Sequence, residues 1–468
     1  MHIDPRITPH DLLPQVNRLL ELAQSKIRLI ERTWDPARGA PVFTVRGRYA
    51  AQGWTPWTLG FQFGSAILCS DGTGDEELLE LGRRRTLEHM PALLTHTGVH
   101  DHGFNIVSTY GNLRRLLREG ATPANPWELH CYELALKVSG AVQAARWAGT
   151  APRPDSPHSA KSPALGYIYS FNGPHSLFID TLRSLRSLVI AWQLGHALFH
   201  ENDKRADLLK RSVLHALTTS QYLVFHGDGE HAYDEPGRTA HEGVFNRNDG
   251  SFRCRSTQQG YSPFSTWTRG LAWAILGYSE QLEFLQTLAP EAFLASTGVA
   301  LPDALAVYER CAVETAEHYL RDCAADDGVP YWDAGAPGLE RLGDWRERAA
   351  DPFNDHEPVD ASAAVIAAQG MLRLSRCLTG AKSKRWLRAG LTLARTVFDE
   401  PYLATDRNHQ GLILHSVYHR PNAWDYVPRE HRVPCGESCM WGDYHALELA
   451  LYLQRLSSAK PYLAFFDR

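Results

Sequence analysis

Apolar residues recur at three- and four-residue intervals along almost the whole chain. Between positions 10 and 33, Leu12, Leu13, Val16, Leu19, Leu20, Leu22, Ile27 and Ile30 fall on one broad face, with polar residues between them. The same pattern predicts helices over about 75–94, 104–118, 127–148, 177–200, 204–225, 266–287, 304–323, 360–378, 383–398 and 442–457, roughly a dozen in all. Candidate strands are short and few, Gly411 to Val417 among them. Connections rich in Pro, Gly, Asp and His fall near about 149–175, 226–264, 326–358 and 420–440. Loops longer than about 15 residues are uncommon inside a compact domain and often functional. They do not read as linkers, because Tyr167, Tyr169, Phe171, Phe252 and Tyr261 would be wasted in solvent. A helix pair recurs at roughly 60–70 residues without a repeating motif. Solenoid and closed toroid both fit that spacing. The aromatic loops favour a single all-α toroid over residues 1–468 with its site at one mouth.

Composition narrows the field. The 468 residues are 44% hydrophobic and 22% charged, enough for a large core. A net charge of −5 gives no reason to expect nucleic acid or an anionic membrane as a partner. Arg83, Arg84 and Arg85 sit in helical pattern and read as a solvated face. The eight cysteines are scattered, most of them in apolar helical pattern, which predicts reduced, buried thiols. Cys435 and Cys439 have no second pair at zinc-finger spacing. The stretch from Met1 to Leu13 lacks a basic segment followed by an apolar core, and no segment reaches membrane-span length. The expectation is a cytoplasmic protein, although a processed periplasmic one would look the same. There is no Gly-rich phosphate loop, Ser-His-Asp order or nucleophile elbow, and Gly72-x-Gly74 is too short for a dinucleotide fingerprint. No cofactor is expected.

Three distant segments carry chemistry. Asp180 follows Phe178 and Ile179 at a predicted helix start, with Ser176 as a candidate cap. An acid there could simply favour the positive helix end. Among apolar neighbours its carboxyl is instead expected to have a raised pKa, as a proton donor needs. Asp101 lies between His100 and His102, before Gly103 and Phe104. It could cap a helix, but it also suits an orienting acid. These three consecutive side chains cannot readily converge on one ion, so no metal is expected. Gln259 and Tyr261 precede Trp267, Arg269 and Trp273. Arg269 and Trp273 share a helical face, where they could form a cation–π pair or serve a sugar acid. In that second reading, carboxylates move protons, Arg clamps a carboxylate and Trp stacks on a ring. Trp54 and Trp57 add two indoles, and Asp443 is a further candidate cap.

Read together, these strings resemble the unsaturated glucuronyl hydrolases, glycoside hydrolase family 88. The matching strings are Trp57-Thr-x-Gly60-Phe61, His100-Asp101-x-Gly103-Phe104, Ile179-Asp180 and Gln259-Gly260-Tyr261, continuing to Trp267-x-Arg269-Gly270-x-Ala272-Trp273. Asp360-Ala-Ser362-Ala363-Ala364 and Trp441-Gly442-Asp443-Tyr444 complete the ordered set. The resemblance implies an (α/α)6 toroid acting on lyase-generated oligosaccharides, whose terminal uronic acid carries a C4=C5 double bond. It implies Asp180 as proton donor and acceptor, supported by Asp101. It also implies Trp57, His100, His241, Gln259, Arg269 and Trp273 as substrate-binding residues. The family often has His where this chain has Gln258. A second family histidine corresponds to His231 or His241, with His241 preferred. The implied partner is an unsaturated uronyl oligosaccharide, bound by a monomer or homodimer without metal. The unsaturated rhamnogalacturonyl hydrolases of family 105 and sugar epimerases on the same fold are the competing readings.

Overall fold

The structure, a computed structural model, describes all residues except Trp54, Thr55, 153–163, Glu230, His231, Ala459 and Arg468. Trp54 and the alternative histidine His231 therefore lie outside the described residues.

Among the described residues, outer and inner helices alternate six times. The outer ones are Leu13–Thr33, Glu76–His89, Pro126–Ala145, Leu208–Leu223, Leu301–His318 and Gly380–Val397. Each leads into an inner helix or helix pair: Leu59–Thr73, His102–Ile106 with Asn112–Arg118, Thr181–Ser184 with Arg186–Gln193, Thr268–Leu285, Ala361–Cys377 and Met440–Leu456. Each inner element packs on the next, and Met440–Leu456 returns to Leu59–Thr73, which closes an (α/α)6 toroid. Outer helices bury one stripe, as Val16, Leu19, Leu20 and Ala23 do in the first. The inner helix Thr268–Leu285 is buried on every side.

Two contacts explain how the ring closes so tightly. A Cβ on Gly60 would stand 2.3 Å from the Asn105 carbonyl oxygen, and one on Gly103 would stand 2.2 Å from that of Ser184. Only glycine lets these backbones touch. At the ring's interior, Arg183 is paired with Glu280 and Glu448, and Arg373 donates to Glu283 at 2.9 Å. These buried charges answer one another across four inner helices, and removing one partner would strand the other in a low-dielectric interior.

The helix pattern read from the sequence is found with local differences. Leu59–Thr73 was not among the predicted helices, because a helix apolar on nearly all faces shows no amphipathic period. The 104–118 segment is broken by a π-helical turn at Val107–Gly111. The 177–200 segment opens as a strand, Ser176–Phe178, so Ser176 caps no helix. Two short helices follow it, and Leu198–Phe199 pairs with Arg205–Ala206. Gly411 to Val417 forms no strand beyond an isolated bridge from Leu403 to Ile413. Its Leu412 and Ile413 amides donate to the Asp443 carboxylate, which therefore holds a loop instead of capping. Arg83 and Arg85 are tied to Glu128 and Glu31, and so help dock their helix on its neighbours.

Candidate active site

The inner helices run in the same sense, so their N-terminal ends share one mouth. Trp57, His100 with Asp101, Asp180, Trp267 with Arg269, Asp360, and Trp441 all lie at these ends. Converging helix N-termini carry partial positive charge and favour an anionic ligand.

Asp101 and Asp180 occupy N-cap positions, yet neither side chain makes a capping hydrogen bond. Hydrogen-bonded capping therefore does not account for an acid at either place. His100 bridges them instead: its Nε2 donates to Asp180 Oδ1 at 3.1 Å and lies 3.9 Å from Asp101 Oδ1. The His100 carbonyl accepts from Gln143 Nε2 at 2.7 Å and Ser184 Oγ at 2.6 Å, which fixes its backbone. Phe171 stacks on the imidazole and Phe178 meets its edge. Asp101 is buried, whereas the Asp180 side chain keeps 13% of its surface open.

The electrostatics reverse one expectation. Burial would raise the Asp180 pKa, but the His100 hydrogen bond and the charges of His100 and Arg269 hold it below the usual carboxylate range. The raised carboxyl is that of Asp101, pushed up by burial and by the Asp180 charge against the pull of His100. Burial opposes the His100 imidazolium, yet the Asp101 charge and the Asp180 bond raise its pKa. Apolar sequence neighbours misled because the decisive groups come from other elements.

His241 reaches the site through strand pairing, with Phe178 opposite Glu242 and the Ile179 amide donating to the His241 carbonyl at 3.0 Å. Its Nδ1 accepts from the Gln258 and Gln259 amides at 2.9 and 3.2 Å, and Phe178 and Trp267 flank the ring. Burial lowers its pKa to about 4, so the ring is neutral with its proton on Nε2. Gln259 Oε1 accepts from Arg269 Nη2 at 2.6 Å.

Two further residues depart from their expected postures. Arg269 is 2% exposed, lies between the Trp267 and Trp441 rings, and donates to Asp360, the Val417 and Tyr418 carbonyls and Gln259. It does not offer a free fork to a ligand. Trp273 is 2% exposed and packs on Phe104 and His445, so it supports the floor and is no open platform. Trp57 is the half-buried indole, stacked on Trp441 at 5.1 Å with Nε1 donating to Tyr418 Oη at 3.3 Å.

One wall escaped the sequence reading. Tyr418 and His419 donate their amides to Asp425, whose pKa burial raises to about 6. His419 packs on Trp424, and its pKa is lowered to about 4 by burial and the Arg269 charge. The only sequence signal was the apolar run that precedes this loop. Elsewhere, Glu235, His318 and Asp322 bring metal-type donors together among the described residues, but Arg321 already pairs with Asp322 there at 2.5 Å.

No family model matches the chain. It is 23% identical over 414 residues to an unsaturated glucuronyl hydrolase of Bacillus sp. (strain GL1), covering 87% of this chain and 89% of that protein. It is 24% identical over 459 residues to an unsaturated chondroitin disaccharide hydrolase of Streptococcus pyogenes serotype M1, covering 95% and 93%. Among solved structures, an unsaturated glucuronyl hydrolase specific for heparin superposes with a TM-score of 0.69 at 19% identity, covering 96% of this chain and all of that one (100%). The Bacillus sp. GL1 structure gives 0.65 at 22% identity, covering 95% and 97%. In sequence and in fold, the chain is similar to the unsaturated glucuronyl hydrolases.

Proposed function

We propose that this protein is a glycosidase that removes a terminal 4,5-unsaturated uronic acid from lyase-generated oligosaccharides. The observation that carries the reading is the pair of uncommitted acids, Asp101 and Asp180, facing one imidazole at the mouth of the toroid. The reaction begins with protonation of C4 by Asp180, which takes the proton from the His100 imidazolium across their hydrogen bond as it delivers it, and leaves the positive charge shared between C5 and the ring oxygen. Asp180, now a carboxylate, accepts a proton from water as the water oxygen bonds to C5. The resulting hemiketal opens to a C5 ketone. The hemiacetal thereby created at C1 collapses to an aldehyde and expels the remaining sugar as an alcohol. No bond to the protein is formed, so the usual spacing rule for two glycosidase carboxylates does not apply.

Asp101 keeps a proton within the His100–Asp180 group between turnovers. Trp57, His241 and Gln259 hold the ring and its substituents, while Arg269 and Trp273 support them from behind. These residues come from one chain, so a monomer or a homodimer would serve. All eight cysteines are free thiols, which supports a reducing, cytoplasmic setting. Similarity to glucuronyl and chondroitin disaccharide hydrolases favours a glucuronyl over a rhamnogalacturonyl substrate.

The test is loss of the ultraviolet band of the conjugated C4=C5 acid, measured on a panel of unsaturated disaccharides from glycosaminoglycan and pectin lyases. Loss of the band on glucuronyl members is expected. An intact band on every member would overturn the reading, and an epimerase would leave the band intact.

A further inference from the structure

The four Nη hydrogens of Arg269 are already committed. Nη1 donates to Asp360 Oδ2 and the Val417 carbonyl, and Nη2 donates to the Tyr418 carbonyl and Gln259 Oε1. The guanidinium carbon lies 4.8 and 4.7 Å from the Trp267 and Trp441 ring centroids, and its charge is balanced by Asp360 at 3.3 Å. A bidentate clamp needs two free donors on one edge. The bond to Gln259 does something else. Because Oε1 is the atom that accepts, the amide cannot flip, and Nε2 becomes its remaining face, with no protein partner among the described residues.

A second donor is prepared in the same way. The backbone amides of Gln258 and Gln259 donate to His241 Nδ1, so Nε2 must carry the imidazole proton. That Nε2 is buried and unpartnered. An orphaned buried donor is costly unless a ligand satisfies it.

We infer that the uronate carboxylate is held by the neutral N–H groups of Gln259 Nε2 and His241 Nε2, with Arg269 as the positioning residue that sets the Gln259 amide. The inference rests on the uronic-acid reading above. Arg269, bonded to the Gln259 amide at 2.6 Å, contributes positive potential beside the carboxylate held there. Neutral donors hold the anion without a contact ion pair, so no second ion has to be desolvated on binding.

A double-mutant cycle tests this, read on Asp180→Asn protein by tryptophan fluorescence. The ligands are an unsaturated glucuronyl disaccharide and its methyl ester, and the quantity is the acid-over-ester ratio of affinities. Loss of hydrogen bonds to a charged group predicts a preference of about tenfold or more without the changes, falling in Gln259→Met to the smaller share that His241 alone supplies. Arg269→Met should lower the preference to the same share, and the double variant should be no worse than either. Multiplying effects would make Arg269 an independent clamp and overturn the proposal. So would equal weakening of acid and ester, the mark of a merely structural role. Gln259→Glu keeps the acceptor for Arg269 and should invert the preference towards the ester; a retained acid preference there also overturns the proposal, even if the Arg269 variant fails to fold. Failure of the hydrolase reading shows separately, as an unchanged ultraviolet band with the unaltered protein. Absence of any acid binding defeats both.

Discussion

The Gly103 amide donates to Ser184 Oγ at 2.9 Å, and a Cβ at position 103 would stand 2.2 Å from the Ser184 carbonyl oxygen. This backbone contact sets the His102 helix against the Thr181 helix, and therefore Asp101 and His100 beside Asp180. Gly103→Ala should force the two helices apart, at a cost of about 3 kcal/mol or more. A thermal melt should show the loss of stability, and activity should fall further than the folded fraction explains. An unchanged melt would mean that the contact relaxes freely.

Asp180→Asn should lower kcat by about two to four orders of magnitude while disaccharide binding persists, the usual range for removing a general acid–base group. Asparagine can still accept from His100, so the pocket should keep its shape. Near-normal turnover would exclude Asp180 as the proton carrier.

The pH profile should carry the signature of the coupled group. Asp101 and Asp180 lie 3.9 and 3.1 Å from the same His100 nitrogen, so the three titrate as a group and kcat/KM should decline on the alkaline side as the last donor proton is lost. The Asp101 charge helps to keep the His100 proton in place. Asp101→Asn removes that charge, so the alkaline limb should shift to lower pH. A shift to higher pH would contradict the assignment.

His226 predicts stability, not catalysis. Burial opposes its charge, but contacts with Cys311 and Glu314, including a 2.6 Å bond from Nδ1 to Glu314, raise its pKa to about 9. Because the folded value is raised, the stabilisation is complete below the unfolded histidine value of about 6.5 and is lost as pH rises through about 9. The amount is on the order of 2–3 kcal/mol. Unfolding midpoints measured from pH 6 to 10 should fall across that window, and His226→Gln should flatten the fall.

The alternation of apolar and polar positions was enough to determine an all-α chain, because one-sided burial leaves its period in each outer helix. It also exposed the reactive vocabulary: two acids beside aromatics, and a Gln–Arg–Trp segment. It could not reveal Leu59–Thr73, whose near-complete burial erases any period, nor the wall at Tyr418 and His419, which is loop.

Protonation was decided by tertiary structure alone. Read against its sequence neighbours, Asp180 was the carboxyl expected to be raised. Ring closure through Gly60 and Gly103 delivers His100 to Asp180 and leaves Asp101 as the raised one. The part of Arg269 was likewise undetermined by sequence, since Asp360, Val417 and Tyr418 meet it only when the inner helices gather. Local pattern records which face of an element is buried. Electrostatics depend on distances between elements far apart in the chain, and only the closed toroid sets those distances.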